Sequence, residues 1–146
     1  KVIIDTIKKI RSQNHKFHFC IYPTSILLNS NDLKNAYLKI KKTKSNFICP
    51  IEKYKNNPLR SFIIKEPNIF FKWQYNQMKR SQDLKNLYYD TGSFYIYRTK
   101  YLLSINKKNI LPKKSTYIIL KKELIDVNYP EDLMVLKKLF KKKKIN

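Results

Sequence analysis

The chain has 146 residues, of which 42% are hydrophobic and 14% aromatic, and its formal net charge is +22. This composition supplies a core for one folded domain and argues against disorder over most of the chain. The apolar runs are far shorter than the roughly 20 residues of a membrane-spanning helix, and no secretory-signal pattern is visible, so we predict a soluble, cytoplasmic protein with no membrane partner.

The high positive charge is a feature that nucleic-acid-binding proteins share, because a lysine-rich surface attracts polyanions. The cations are almost all lysines spread along the chain, and the arginines, whose planar fork reads phosphates and bases, are Arg11, Arg60, Arg80 and Arg98. The accompanying abundance of isoleucine and asparagine indicates a compositional bias. We therefore predict no dedicated nucleic-acid partner and keep a non-catalytic, polyanion-binding module as the alternative function.

The hydrophobic pattern predicts helices and strands that alternate along the chain. The clearest helix covers 31–42, where Leu33, Ala36 and Ile40 share one face behind Ser30 or Asn31 as the capping residue. Other predicted helices lie near 3–10, 99–106 and 130–142, and predicted strands near 17–22, 45–54, 60–66, 93–98, 116–120 and 123–127. The polar stretch 73–86 shows neither the periodicity of a helix nor that of a strand. This rhythm favours an α/β fold.

A Pro-Thr-Ser turn ends the first predicted strand, at residues Tyr22, Pro23, Thr24 and Ser25. In open parallel sheets, ligands bind outside the carboxyl ends of strands, so the hydroxyl groups of Tyr22, Thr24 and Ser25 are candidates to meet a polar substrate. The alternative is an ordinary strand-to-helix turn in which Pro23 fixes the backbone and Thr24 caps locally.

The segment RSQDL brings together Arg80, Gln82 and Asp83. Arg80 can hold a carboxylate or phosphate through two parallel hydrogen bonds, while Gln82 and Asp83 suit sugar hydroxyls. Gly92 follows shortly afterwards and is the sole glycine of the chain. It permits either a turn with positive φ or the close approach of a ligand to the backbone.

The segment LIDVNYPEDL places Asp126 at the end of a predicted strand and Asn128 two residues later. A carboxylate there can hold Mg²⁺ together with the phosphates of a substrate. Asn128 precedes Pro130 by two residues and Glu131 by three, which is typical of the N-terminal cap of a helix. We assign Asn128 mainly to capping, and Asp126 either to a metal site or to a structural role.

Four segments taken in order, CIYPTS, EKYKNNPLRSF, RSQDLKNLYYDTGSFYIY and IDVNYPEDLMVLKKLF, resemble the acylneuraminate cytidylyltransferase family, and within it the pseudaminic acid cytidylyltransferases most closely. The resemblance runs over nearly the whole chain. RSQDL followed by tyrosine and Gly-x-Phe-Tyr is its most specific part, because residues, order and separations match together. Tyr22 stands before Pro23, where sialic acid synthetases commonly carry glutamine, and this favours the pseudaminic branch.

The resemblance implies an enzyme that transfers CMP from CTP to a nine-carbon nonulosonic acid, pseudaminic acid in this branch, and releases pyrophosphate. It implies Mg²⁺ as cofactor, held by Asp126 as the catalytic residue with Asn128 as a second ligand. The residues implied to bind the sugar and the nucleotide are Tyr22, Pro23, Thr24, Arg80, Gln82, Asp83 and Gly92. The family is commonly dimeric, so we expect a homodimer. Transfer to N-acetylneuraminic or legionaminic acid is the second enzyme hypothesis.

Two departures from the family pattern stand out. The family commonly has Asp-x-Asp at the metal site, whereas this chain has Asp126, Val127 and Asn128. The glycine- and arginine-rich loop that cradles the CTP phosphates in the family has no counterpart here. We therefore expect one partial domain over 1–146 that is α/β and three-layered. Its mostly parallel sheet would be of the nucleotide-diphospho-sugar transferase type, without the N-terminal strands, and the chain would be an incomplete piece of the enzyme.

Overall fold

The computed structural model describes residues 2–104, 111–120, 127 and 129–145. The chain is organised into two compact units, the first made of Lys1–Ile51 with Thr91–Asn146 and the second of Glu52–Asp90. The single domain predicted from the sequence stays a prediction. No helix in the described ranges is both long enough and apolar enough to cross a membrane.

In chain order the described helices and strands are α1 (Val2–Lys9), β1 (Phe17–Ile21), α2 (Ser30–Lys42), β2 (Phe47–Lys53), β3 (Phe62–Lys65), β4 (Asn68–Phe71), β5 (Tyr88–Asp90), β6 (Phe94–Arg98), α3 (Thr99–Ser104), β7 (Ser115–Ile119) and α4 (Pro130–Ile145). They alternate between helices and strands as far as β2 and again from β6 onwards, as the hydrophobic pattern predicts, but five strands follow one another from β2 to β6. Three short 3₁₀ turns lie in the second unit, at Pro58–Arg60, Gln74–Asn76 and Ser81–Asp83. The strand predicted near 123–127 lies almost entirely outside the described residues.

The sheet of the first unit is mostly antiparallel, which corrects the prediction of a mostly parallel sheet. Its strands pair in the order β1, β6, β2, β7. β6 runs antiparallel to both β1 and β2, with Ile96 opposite Phe19 on one side and Ile48 on the other, whereas β2 and β7 are parallel. The physical reason is that β6 begins at the end where β1 finishes, since the Tyr22 N–H donates to the Ser93 carbonyl at 3.0 Å.

Helices cover both faces of this sheet. On one face Ile7 of α1 and Leu102 of α3 pack with Phe47, Cys49 and Tyr97. On the other face α2 packs on β2 and β6 through the buried residues Ala36, Ile40, Ile48, Phe94 and Ile96. Successive residues of a strand point to opposite faces, so β2 and β6 feed both clusters. These two clusters give the three-layered α/β arrangement that the sequence predicts.

The cap of α2 lies one or two residues before the predicted one. The capping residue of α2 is Asn29, whose side chain accepts the Asp32 N–H at 2.9 Å while Asp32 Oδ2 accepts the Asn29 N–H at 2.9 Å. This reciprocal box replaces the predicted Ser30 or Asn31 cap. At α4, Asp132 Oδ2 accepts the Tyr129 N–H at 2.9 Å. Asn128 lies outside the described residues, so its capping role stays a prediction.

A histidine network ties α1, β1 and α3 together. Thr99 Oγ1 donates to the His15 carbonyl, so it accepts from His18 Nδ1, 2.9 Å away. Nε2 of the neutral ring is then an acceptor for the Ser12 hydroxyl at 3.1 Å. The pKa of His18 is lowered from 6.5, chiefly by burial and also by the nearby His15, against the raising effect of a hydrogen bond with the Ser12 backbone. The folded chain therefore favours the neutral ring.

We expect this network to weaken as the pH falls. Because the pKa of His18 is lowered in the folded chain, the unfolded chain binds the proton more tightly. The free energy of unfolding should thus rise with pH until the pH exceeds the pKa of His18 in the unfolded chain, and should then level off. Urea unfolding of the wild type and of His18→Gln at a series of pH values checks this. A stability difference that stays constant with pH would contradict it.

The second unit is built around an antiparallel hairpin. In this hairpin Phe62 pairs with Phe71 and Lys65 with Asn68. The hairpin carries exposed apolar side chains, among them Ile64 at 72% exposure. The stretch 73–86, which shows little sequence period, contains two of the 3₁₀ turns.

Candidate active site

The turn that follows β1 and the turn that precedes β6 lie side by side in the first unit. The Ser93 carbonyl accepts two hydrogen bonds, from the Tyr22 N–H at 3.0 Å and from the Ser25 hydroxyl at 2.6 Å. The Tyr22 ring is exposed and packs edge-on against a tyrosine of β6. Pro23 is exposed and Thr24 half-buried. The Tyr-Pro-Thr-Ser turn is therefore fixed at the carboxyl end of β1, where it presents an aromatic ring near the surface.

Gly92 forms the second of these turns. Its φ of 62° lies in the left-handed region, where a side chain would cost about 1–2 kcal/mol. The neighbouring Thr91 and Ser93 are buried with their hydroxyl oxygens 3.1 Å apart, and Thr91 Oγ1 donates to the Pro50 carbonyl at 3.4 Å. The predicted turn with positive φ is confirmed. The approach of a ligand to this backbone stays a prediction.

The second unit contains a cavity of about 560 Å³. Its lining combines basic, polar and apolar groups, and consists of Tyr54, Lys55, Asn56, Asn57, Pro58, Arg60, Ser61 and Ser81. The Asn57 side chain is fixed, because Oδ1 accepts the Leu59 N–H at 3.0 Å and Nδ2 donates to the Lys85 carbonyl at 2.9 Å. Two cations together with amide and hydroxyl groups suit an anionic ligand that carries several hydroxyls.

Arg60 is the best-oriented cation of this cavity. Its Nη1 donates to the carbonyls of Gln77 at 3.2 Å and Lys79 at 2.9 Å. The guanidinium also lies 5.2 Å from the centroid of the Phe71 ring. These contacts orient the planar group through one nitrogen, which leaves its other N–H groups for a ligand carboxylate. Sequence reasoning did not single out Arg60. The sequence signal that could have identified Arg60 is its place in EKYKNNPLRSF, one of the four segments that resemble the cytidylyltransferase family.

The guanidinium of Arg80 is paired with Asp83. Nε lies 2.8 Å from Oδ2, and Nη2 lies 3.1 Å from Oδ1. The two side chains are 72% and 46% exposed, so the pair contributes at most about 1 kcal/mol, and a ligand anion can displace Asp83 at little cost. Gln82 between them is exposed, and Ser81 is the residue of this turn that lines the cavity. Arg80, which was predicted to bind a carboxylate or phosphate of a ligand, thus binds the carboxylate of Asp83 in the structure.

The sequence has named relatives over almost its whole length. It is 31% identical over 140 residues, 94% of the chain, to the pseudaminic acid cytidylyltransferase of Campylobacter jejuni serotype O:23/36, and 30% identical over 143 residues to that of serotype O:2. A third relative matches 78 residues, 53% of the chain and 15% of the relative, at 32% identity, and is the Helicobacter pylori "Pseudaminic acid cytidylyltransferase and UDP-2,4-diacetamido-2,4,6-trideoxy-beta-L-altropyranose hydrolase". No family model matches the chain.

The chain is similar to the pseudaminic acid cytidylyltransferases. The resemblance drawn from the sequence motifs is thereby confirmed over nearly the whole chain. The chain spans 60% and 61% of the two Campylobacter pseudaminic acid cytidylyltransferases. The residues implied by the resemblance fall into two sets, Tyr22, Pro23, Thr24 and Gly92 in the first unit and Arg80, Gln82 and Asp83 in the second.

The metal ligands implied by similarity to pseudaminic acid cytidylyltransferases, Asp126 and Asn128, lie outside the described residues. Within the ranges that the structure describes, no group of three histidine, cysteine, aspartate or glutamate side chains is arranged to hold a metal. The carboxylate and amide oxygens of Asp126 and Asn128 are donor types that Mg²⁺ accepts, although the amide attracts it less strongly than a carboxylate does. The donor set therefore fits Mg²⁺.

Proposed function

We propose that the protein transfers CMP from CTP to pseudaminic acid and releases pyrophosphate. The observation that carries this proposal is the 31% identity to a pseudaminic acid cytidylyltransferase across 94% of the chain. Because the chain spans about three fifths of that relative, we assign the activity to the complete enzyme. We place it in the cytoplasm and assign its α/β layers to the nucleotide-diphospho-sugar transferase type.

In the proposed reaction, the anomeric hydroxyl of the sugar attacks the α-phosphorus of CTP, and pyrophosphate leaves. The paired turns around Tyr22 and Gly92 are proposed to bind substrate through an aromatic ring and backbone groups. Asp126, with Asn128, would hold Mg²⁺, which when bound neutralises charge on the phosphates. The turns themselves orient substrate, since Ser93 fixes both Tyr22 and Ser25.

The cavity of the second unit is the proposed site for the sugar's carboxylate and hydroxyls. Arg60 supports this assignment, because two backbone carbonyls hold its guanidinium in place. Lys55, Asn56 and Ser61 also line the cavity and carry donor groups. A carboxylate can be bound by the planar fork of Arg60 through two parallel hydrogen bonds.

The complete enzyme is expected to form CMP-pseudaminic acid from CTP and pseudaminic acid in the presence of Mg²⁺. Pyrophosphate release and mass spectrometry of the product measure this. N-acetylneuraminic and legionaminic acids are the comparison substrates, and equal or better turnover of either one would overturn the branch assignment. A polyanion-binding module would behave differently, because its affinity would fall steeply with ionic strength and ignore the identity of the sugar.

We propose that the active form is a homodimer in which the hairpin of β3 and β4 packs against a second copy. Its support is one face of the hairpin on which exposed apolar side chains adjoin, with Phe62 at 52%, Ile64 at 72% and Ile69 at 63% exposure. Contiguous exposed apolar surface of this kind is typical of an interface. Ile64 and Ile69 are cross-strand partners, so they share one face.

The double substitution Ile64→Asn with Ile69→Asn is expected to convert the dimer into a monomer. Two polar amides cannot be buried in an apolar interface without partners. Light scattering coupled to gel filtration measures the mass. Met78→Asn is the matched control, because Met78 is 92% exposed and lies outside the hairpin. A wild-type chain that runs as a monomer at all concentrations would exclude this interface.

A further inference from the structure

One end of the sheet in the first unit carries a concentration of exposed cations, which we call the basic end. β1, β2 and β7 start there, and β6 finishes there because it runs antiparallel to β1 and β2. The exposed cations of the basic end are Arg11, Lys16, Lys44, Lys100, Lys113 and Lys114. The turns at Tyr22 and Gly92 lie at the opposite end of the strands.

Backbone hydrogen bonds fix the loops of the basic end side by side. The Thr99 N–H donates to the Lys16 carbonyl at 3.1 Å. Asn46 accepts from the Arg98 N–H at 2.8 Å and donates to the Lys114 carbonyl at 2.8 Å. Because neighbouring strands lie about 4.8 Å apart, these four chain segments span roughly 14 Å. The cations therefore form one compact patch.

The ends of α1 and α2 add to the same patch. Ser12, just after α1, contacts His18 near the start of β1. Arg11 and Lys44 both take left-handed backbone, with φ of 51° and 50°, at the helix-ending position where glycine is usually preferred. Arg11 and Lys44 thus place a cation at the basic end at two positions where glycine is usually preferred.

The described acidic residues of the first unit lie in the first turns of helices. They are Asp5 in α1, Asp32 in α2, and Glu131 and Asp132 in α4. Since α2 finishes at the basic end, Asp32 lies ten residues, or about 15 Å, from it along the helix. Asp5 lies four residues before the end of the shorter helix α1, so it offsets only part of the charge of the six exposed cations.

Two exposed apolar side chains accompany the cations. Ile10 is 66% exposed and directly precedes Arg11, and Leu111 is 65% exposed and lies close to Lys113 and Lys114. Isolated apolar side chains among lysines match the headgroup region of a bilayer, where cations meet phosphates and apolar groups enter below them.

The aromatic rings near the basic end argue against single-stranded nucleic acid as the partner. The Arg98 guanidinium lies 4.9 Å from the centroid of the Phe17 ring, and Lys41 Nζ lies 5.3 Å from that of the Tyr37 ring. Rings that are covered by cations do not offer free faces for base stacking. The surrounding cations are mostly lysines, which act as point charges.

We propose that the basic end docks on the surface of a bilayer that contains anionic phospholipid, with Ile10 and Leu111 entering the headgroup region. This is a surface contact, which replaces the expectation of no membrane partner drawn from the lack of a spanning segment, and it leaves the turns at the other end of the sheet facing the cytoplasm. It goes beyond the proposed cytidylyl transfer and uses none of the residues assigned to it.

The test is co-sedimentation of the full chain with vesicles of phosphatidylcholine, alone or mixed with phosphatidylglycerol. We expect binding to the mixed vesicles alone, weakened by salt. The quadruple variant Lys16→Gln, Lys44→Gln, Lys100→Gln, Lys114→Gln should lower the partition coefficient by at least about a hundredfold, from the usual contribution of each lysine near such a surface. Ile10→Ser with Leu111→Ser should lower it by about tenfold, and this loss should persist at high salt.

The control variant removes the same charge elsewhere, through Lys34→Gln, Lys65→Gln, Lys137→Gln and Lys138→Gln, all at exposed positions. An equal loss of binding in the control would overturn the proposal, because the charge would then act diffusely. Retention on duplex DNA without vesicle binding would overturn it in favour of nucleic acid. Acetylation of the unmodified chain provides an independent readout, since vesicles should protect Lys16 and Lys114 but not Lys34, and uniform protection would contradict the docking surface.

Discussion

Asp126→Ala is expected to lower kcat for CMP transfer by orders of magnitude while leaving the melting temperature almost unchanged. Under the proposed function, Asp126 supplies the charged oxygen ligand of Mg²⁺, and the metal stabilises the charge that develops on the transferring phosphates. Steady-state kinetics of the complete enzyme at several Mg²⁺ concentrations, with thermal melting of the same samples, measure both quantities.

Asn128 provides the matched comparison two residues away. Asn128→Asp restores the second carboxylate of the family pattern, so it should tighten Mg²⁺ binding without loss of stability. Asn128→Ala should act mainly on stability, by about 0.5–2 kcal/mol, through the predicted cap. If Asp126→Ala keeps its turnover and its Mg²⁺ dependence, the metal assignment is wrong.

Arg60→Ala is expected to reduce kcat/KM for pseudaminic acid by about a hundredfold, chiefly through KM for the sugar. A charge-assisted hydrogen bond to a carboxylate contributes about 1.5–3 kcal/mol, and under the proposed function the loss falls on the sugar because we assign Arg60 to the sugar carboxylate. Initial rates with each substrate varied in turn measure the two KM values.

Arg60→Lys separates charge from geometry in the same position. Lysine keeps the cation but loses the planar fork that the Gln77 and Lys79 carbonyls orient, so its KM for the sugar should lie between those of the wild type and Arg60→Ala. Arg11→Ala, which removes an exposed arginine of the other unit, should leave both KM values unchanged. An unaltered KM for the sugar in Arg60→Ala would remove the carboxylate site from this cavity.

Residue patterns predicted the elements of the first unit well because those elements bury one face. Leu33, Ala36 and Ile40 recur at helical spacing, and α2 buries Ala36 and Ile40 completely. The direction of β6 could not be predicted in this way, because alternation along a strand is the same whichever way the strand runs. The direction of β6 depends on the end of the sheet at which the chain re-enters it, and this is set by the preceding segment, Glu52–Asp90, which is the second unit.

The second unit was harder to predict because little of it is buried in a repeating pattern. β3 was anticipated as a strand, but its partner β4 was not, since both faces of this hairpin carry apolar residues and neither shows a clean alternation. Arg60 gave no local signal, as its orientation comes from carbonyls at residues 77 and 79 that lie far along the chain. Gly92 was predictable, because a single glycine before a strand marks a backbone requirement.

The hydrogen bonds from Thr91 to the Pro50 carbonyl, at 3.3 Å from its N–H and 3.4 Å from its hydroxyl, have an evolutionary consequence. They make the second unit an insertion whose two ends adjoin. The entropy of closing such a segment grows slowly with its length, so residues can be added, deleted or exchanged there while the strand order of the first unit is preserved. Under the proposed function, divergence in the acceptor sugar can thus proceed through changes within the second unit, while the layers of the first unit are kept.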